Sequence, residues 1–277
     1  MTTFIESPQQ ASRWCARQRK IGHKIGYVPT MGALHDGHLS LVKRSVEKNT
    51  LTCVSIFVNP LQFNNPDDLK NYPRSMQADL EKLERAQCNM VFTGSREDFF
   101  PDQVDFSTTA SSTELPCMQG LEADHRPGHL EGVKAIVERL FDTVGECRAY
   151  FGEKDFQQTL LVREIAKRHG EVEIVVCPTV REPSGLAMSS RNQRLSPEAF
   201  TLAASLHQAL LKAQAAWRDG ERNPQVLEQL MTNWLDQPGI TLEYATVRDP
   251  DKWTAEIPES LPDSAQALIA VQIGGVR

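Results

Sequence analysis

The sequence predicts an α/β fold: a doubly wound parallel sheet followed by a smaller α+β domain. Three observations carry this reading. Short apolar runs alternate with helical spacings through the first part of the chain, glycine-bearing turns follow several of those runs, and the texture shifts near Glu182 to Ala- and Leu-rich helices. Residues 24–28, KIGYV, read as a strand stopped at Pro29. Leu39, Leu41, Val42 and Val46 share one face of a helix that begins near Asp36. Residues 51–58, LTCVSIFV, form a nearly continuous apolar run, as in a parallel strand covered on both faces. A helix over 75–86 and a short strand over 89–93 follow. A longer helix from about 130 to 144 leads to a strand at 148–151, a helix at 156–169 and a strand at 173–177. Further on, Ser196-Pro197-Glu198 reads as an N-cap with proline in the first turn, opening one long helix to about Asp219. A helix over 224–235 and strands at 241–247 and 265–273 complete the pattern. The first domain, 1–182, is therefore expected to be Rossmann-like, and the second, 183–277, a small lid able to move over its site.

Composition narrows the function. A chain of 277 residues has ample length for a buried core, and 40% hydrophobic with 24% charged residues is ordinary for a soluble globular protein. The net charge of −6 argues against general nucleic-acid binding, while leaving room for a small anion held by local cations. Cys15, Cys53, Cys88, Cys117, Cys147 and Cys177 contain no C-x-x-C pair, so reduced thiols are expected rather than a zinc ribbon or a disulfide scaffold. Cys53 and Cys177 sit in apolar strands and are read as packing residues. MTTFIESPQQ lacks the layout of a signal peptide, and no apolar stretch approaches a membrane span. The expectation is a cytoplasmic protein with neither membrane nor nucleic acid as partner.

The most informative segment is PTMGALHDGH, 29–38. Gly32 and Gly37 let the main chain turn between strand and helix. His35 and His38 bracket the helix start, where unpaired N–H groups and the dipole favour a phosphate. No further Cys, Glu or His lies at zinc-site spacing nearby. VNPLQF leaves the next strand, and Pro60 stops it so that Asn59 and Gln62 are expected to be exposed as neutral hydrogen-bonding groups. FGEKDFQQ repeats the strand–glycine–helix layout: Gly152 allows close approach, Lys154 offers a charge for phosphate, Asp155 stands where an N-cap would, and Gln157 or Gln158 can face a ligand. LAMSSRN supplies Ser189, Ser190 and Arg191 as a clamp for polyphosphate oxygens, and RPGH adds Arg126 and His129. On these residues alone an adenylating ligase, a cytidylyl- or adenylyltransferase acting on a phosphorylated acceptor, and a non-catalytic nucleotide- or tRNA-binding module all stay open. Gln62 and Gln158 weigh against a phosphorylated acceptor, and the acidic balance weighs against tRNA.

Taken together, PTMGALHDGH, SIFVNPLQF, YPR, RPGH, FGEKDFQQ and AMSSRN resemble the pantothenate synthetase (pantoate–β-alanine ligase) family, within the nucleotidyltransferases of the HIGH-type signature. The similarity is densest over the first 192 residues. It implies condensation of pantoate with β-alanine by ATP and Mg²⁺ through a pantoyl-adenylate, in a homodimer. Carried over by position, Met31, Gly32, Ala33, Leu34, His35, Asp36, Gly37 and His38 line the ATP site, with His38 a proton donor. Gly152, Glu153, Lys154, Asp155 and Val180 contact the nucleotide, and Met188, Ser189, Ser190 and Arg191 correspond to a KMSKS-like segment. His35, His38, Lys154, Ser190 and Arg191 are the expected catalytic set. Gln62 and Gln158 hold pantoate, Gln62 also lies near β-alanine, and Asp79 resembles a metal-binding acid. The chain departs from the family at Leu61 (usually Met), Leu130 (usually Phe) and Ser184-Gly185 (usually Asp-Gly).

Overall fold

The computed structural model describes residues 2–101 and 115–277. They gather into two compact units, 2–101 with 126–180, and 115–125 with 181–277. In chain order the first unit begins with β1 (Thr3–Ile5), α1 (Pro8–Lys20), β2 (Ile25–Thr30), α2 (Asp36–Lys48) and β3 (Leu51–Ile56). It continues through α3 (Pro66–Lys70), α4 (Met76–Arg85), β4 (Met90–Phe92) and α5 (Arg96–Phe99). After α6 (Glu122–His125), which belongs to the second unit, come α7 (His129–Val144), β5 (Cys147–Gly152), α8 (Phe156–His169) and β6 (Val172–Cys177).

The six strands are all parallel, in the order β1-β4-β3-β2-β5-β6. The chain builds from β2 through β3 to β4, then returns to the opposite side of β2 with β5 and β6. Strand order therefore reverses between β2 and β5. In doubly wound sheets ligands bind at the carboxyl edge beside such a switch point, and both the 29–38 turn and the FGEKD turn leave the sheet there. Consecutive residues Cys53 and Val54 are wholly buried, as are Tyr27 and Val28, so both faces of the sheet are covered. Leu41 and Val42 of α2 join Val28, Val54, Ile56 and Tyr150 in the core. Each such side chain contributes about 2 kcal/mol by leaving water, which anchors the helix that carries the two histidines.

Five of the named elements go beyond the expected set: α1, β1 and the short helices α3, α5 and α6. α1 opens at Ser7, whose hydroxyl accepts from Gln10 N, with Pro8 in the first turn. β1 is an edge strand of three residues, with Thr3 opposite Met90. All six cysteines are buried, with no disulfide among the described residues, and no helix among the described residues is long and apolar enough to cross a membrane.

The second unit holds α9 (Pro197–Ala203), α10 (Ser205–Arg218), α11 (Pro224–Leu235), β7 (Ile240–Arg248) and β8 (Gln266–Ile273). The single long helix expected after Ser196 is interrupted at Ala204. Thr201 Oγ1 donates to Pro197 O (2.9 Å) and Ser205 Oγ to Leu202 O (2.6 Å), so hydroxyls compete for the helix's own carbonyls. β7 and β8 pair antiparallel, with an irregularity between Leu242 and Tyr244, over a core that includes Leu227, Met231 and Val247. Arg277 ties α6 to this unit, meeting both Glu122 and Glu243 at 2.7 Å.

Candidate active site

β2 ends at Thr30, and the next four residues set the direction of α2. Gly32 (φ +80°) and Ala33 (φ +50°) are left-handed, whereas Gly37 lies inside the first helical turn. Of the two glycines read as turn formers, only Gly32 acts in that way. For alanine the left-handed region costs about 1–2 kcal/mol. Asp79 of α4 offsets it: Oδ2 accepts from Ala33 N and Oδ1 from Leu34 N, both at 2.8 Å. Three residues further along α4, Lys82 Nζ donates to Leu34 O at 2.6 Å. One helix face thus grips the turn through both its N–H and its C=O groups. Asp79, which the resemblance implies as a metal-binding acid, here turns both oxygens to main-chain donors and is only 1% exposed.

His35 is the N-cap of α2 and His38 its third residue, and they cap reciprocally. His35 Nδ1 accepts from Gly37 N (3.2 Å), and His38 Nδ1 accepts from His35 N (3.4 Å). With both Nδ1 atoms accepting, each neutral ring carries its proton on Nε2. The ring centroids are 4.1 Å apart. Burial, and then the Lys154 charge, lower His35 to about 4; burial, then His35 and Lys154, lower His38 to about 3. Lys82 pushes both the same way, while Asp155 opposes. At neutral pH the pair therefore offers two uncharged Nε2–H donors.

The turn after β3 is built differently. Asn59 is buried at 1% exposure, and its amide is engaged internally rather than exposed as expected. Nδ2 donates to Gly132 O (2.9 Å) and Gln62 Oε1 (3.1 Å), and Oδ1 accepts from Leu61 N (3.3 Å). Gln62 is half-buried, and its Nε2 lies 3.1 Å from Met31 Sδ, so this turn touches the histidine-bearing one. From α7 and the loop before it, His129 Nδ1 meets Gln62 O at 2.8 Å, and Arg126 Nη1 meets His129 Nε2 at 2.9 Å. Leu130, where the family usually has Phe, is fully buried in α7.

After β5, the FGEKD turn brings Lys154 close enough to His35 and His38 to act on both electrostatically. Asp155 makes no side-chain cap bond to α8; instead its Oδ1 lies 3.3 Å from Lys154 Nζ. Both partners are substantially exposed, so this pairing holds the lysine only weakly and a phosphate can replace the carboxylate. Gln157 is buried at 3% exposure, leaving the half-buried Gln158 as the glutamine of this turn with surface to offer. Val180, three residues past β6, is half-buried.

In the second unit, Ser189 Oγ caps a short turn, accepting from Arg191 N at 3.2 Å, and Asn192 Nδ2 donates to Ala187 O at 3.1 Å. Ser190 is buried, and Met188 and Arg191 are half-buried. The first unit thus brings together Met31, His35, His38, Gln62 and Lys154, through the Met31–Gln62 contact and the effect of Lys154 on both histidines. Sequence reasoning missed Lys82, the scaffolding role of Asn59, and the grip of Arg126 and His129 on Gln62. The Asp79-x-x-Lys82 spacing was visible as one helix face, but nothing local names its target.

The family model described as pantoate-beta-alanine ligase matches residues 3–277. The chain is 44% identical over 266 residues to the pantothenate synthetase of Bacteroides thetaiotaomicron, covering 94% of this chain and 90% of that one. It is 41% identical to that of Rubrobacter xylanophilus, covering 99% and 96%. Among solved structures, pantothenate synthetase from Thermus thermophilus superposes with a TM-score of 0.87 at 34% identity, over 98% of this chain and 95% of the other. The pantoate-beta-alanine ligase of Francisella tularensis, complexed with beta-gamma ATP and beta-alanine, gives 0.78 at 31% identity over 100% and 95%.

Proposed function

The chain belongs to the pantoate–β-alanine ligase family, and from that premise we propose that it condenses pantoate with β-alanine at the expense of ATP on the carboxyl edge of the six-stranded sheet. The observation that carries the reading is the meeting of two turns of opposite chemistry. One presents histidine donors, with Lys154 of the FGEKD turn acting on them, and is suited to phosphate; the other presents Gln62, suited to a neutral hydroxy acid chain.

In the first step a pantoate carboxylate oxygen attacks the α-phosphorus of ATP, and the bond from that phosphorus to the bridging oxygen breaks. Pyrophosphate leaves with the electron pair, and pantoyl-adenylate remains. Nε2–H of His35 and His38 donates to phosphate oxygens as their charge redistributes, and Lys154 leaves Asp155 to follow the pyrophosphate. His38 acts here by donating a hydrogen bond, because its neutral ring keeps its proton. In the second step the β-alanine amine attacks the acyl carbon, AMP departs with the former carboxylate oxygen, and the amine releases its proton. Gln62 and Gln158 orient pantoate, with Gln62 also beside β-alanine. The remaining nucleotide contacts in the proposal are Met31, Gly32, Ala33, Leu34, Asp36, Gly37, Gly152, Glu153, Val180, Met188, Ser189, Ser190 and Arg191. The complex of the Francisella relative supports the two-substrate reading.

Mg²⁺ enters the proposal as part of the nucleotide substrate. Among the described residues no group of three or more His, Cys, Asp or Glu gathers to hold a metal, and Asp79 is engaged by main-chain donors. No protein ligand to the ion is therefore assigned. A cytoplasmic homodimer, with a site-bearing domain over 1–182 and a lid over 183–277, completes the proposal. Incubation with ATP, Mg²⁺, pantoate and β-alanine is expected to give AMP, pyrophosphate and pantothenate, and omission of any one substrate to abolish pantothenate. Pyrophosphate release with a phosphorylated alcohol and not with pantoate would contradict the reading.

A further inference from the structure

Gln62 is held by more than its own turn. Its carbonyl oxygen accepts from His129 Nδ1 at 2.8 Å, and Arg126 Nη2 stands 3.5 Å from the same oxygen. Arg126 Nη1 lies 2.9 Å from His129 Nε2. A guanidinium can only donate, so Nε2 must accept, the ring is neutral, and its one proton belongs to Nδ1, where the Gln62 carbonyl takes it. His129 is 6% exposed, so it has almost no water to substitute for either partner. One turn along α7, a side chain on Gly132 would overlap the Leu61 carbonyl group, and Gly132 O accepts from Asn59. Arg126, His129 and Gly132 thus fasten successive peptide units of the turn from one direction. The side-chain amide of Gln62 is left with Asn59 and Met31 as its neighbours.

We propose that Arg126, His129 and Gly132 are positioning residues for pantoate: a directional relay, Arg126 to His129 to the Gln62 carbonyl, fixes the main chain from which the Gln62 amide is aimed. This rests on the reading that Gln62 holds pantoate. The relay fastens the turn that carries Gln62, whereas the turn that carries His35 and His38 is held by Asp79 and Lys82, so its loss should fall mainly on one substrate. Misplacing an orienting group by a fraction of an ångström to an ångström costs on the order of 10–100-fold in rate.

The test is steady-state kinetics of the full-length chain, following pyrophosphate release with ATP and pantoate varied separately, for wild type, Gln62→Ala, His129→Leu, His129→Asn and Arg126→Met. His129→Leu is expected to lower kcat/KM for pantoate by about 10–100-fold with KM for ATP unchanged. His129→Asn keeps a donor near the Nδ1 position and is expected to recover most of that loss. Arg126→Met leaves the imidazole in place but frees its tautomer. ¹⁵N spectra should show the His129 ring as Nδ1–H in wild type and as a mixture of tautomers in Arg126→Met. Unchanged pantoate kinetics in His129→Leu, or no advantage of Asn over Leu, would overturn the relay, as would an Nε2–H ring in wild type. If instead Gln62→Ala leaves pantoate kinetics intact, or wild type releases no pyrophosphate with pantoate, the substrate reading itself fails, and the relay with it.

Discussion

The two turns that meet at Met31 and Gln62 are held by opposite means. The 31–35 turn is gripped by ions: a buried carboxylate accepts from Ala33 and Leu34, and an ammonium donates to the Leu34 carbonyl. The 59–62 turn is gripped mainly by neutral amides and one imidazole; Arg126 stands behind His129 and reaches the Gln62 carbonyl itself only at 3.5 Å. Charge-assisted bonds are roughly twice as strong as neutral ones, and they secure the turn that carries backbone strain at Ala33 and must meet a polyanion. Neutral bonds are directional and leave no field to repel or trap a carboxylate that has to move. A phosphate side built on charge and an acid side built on direction is the difference to be tested.

The largest effect should come from removing the mobile cation of the charged side. Lys154→Ala is expected to fold normally and lose on the order of 10²–10³ in the rate of adenylation, read by single-turnover pyrophosphate release. His38→Ala should fall by a similar factor, since one preorganised donor is lost in each case; near-native turnover in either variant removes that residue from the chemistry. Asp79→Asn should come next. It turns an N–H toward a main-chain N–H beside the strained Ala33, costing about 1–3 kcal/mol in urea unfolding. Its kinetic loss should fall on ATP, with KM for pantoate held; a loss shared by both substrates would erase the distinction between the turns. Gly132→Ala probes the neutral side. Overpacking against the Leu61 carbonyl is expected to destabilise by about 1–3 kcal/mol and to raise KM for pantoate more than that for ATP.

A further expected effect, on stability alone, is its pH dependence. His35 and His38 sit below their ordinary value in the folded chain, at about 4 and about 3. Between about pH 6.5 and those values the unfolded chain therefore binds more protons than the folded one, so stability falls as pH drops through that window. Urea midpoints compared at pH 7 and pH 5 should show the decline, and His35→Asn with His38→Asn should flatten it. A decline of unchanged size in the double variant would place its origin elsewhere.

What could be read from the sequence follows from the range of the forces involved. The helix start at His35, the buried strand LTCVSI and the helix at Phe156–His169 are local patterns of spacing and capping, and each was found close to its observed bounds. α1 was equally legible, since Ser7-Pro8 repeats the signature recognised at Ser196-Pro197, but three-residue β1 is too short for periodicity to speak. The break at Ala204 hides because Thr201 and Ser205 look like ordinary helix residues until their hydroxyls find carbonyls. At the site, the glycine, histidine and lysine turns were visible, whereas Asp79, Lys82 and His129 act across 46, 48 and 67 positions of sequence. Asn59 was misjudged for the same reason: its partner Gly132 lies 73 positions away.

The central claim is that the charged turn hands adenylate to an acid oriented by the neutral one. Rapid-quench analysis of the full chain with α-labelled ATP, Mg²⁺ and pantoate, without β-alanine, tests it most directly. The expected result is a burst of pyrophosphate with label held as pantoyl-adenylate, discharged to AMP and pantothenate once β-alanine is added. Formation of ADP and inorganic phosphate, or no pyrophosphate until β-alanine is present, would contradict it.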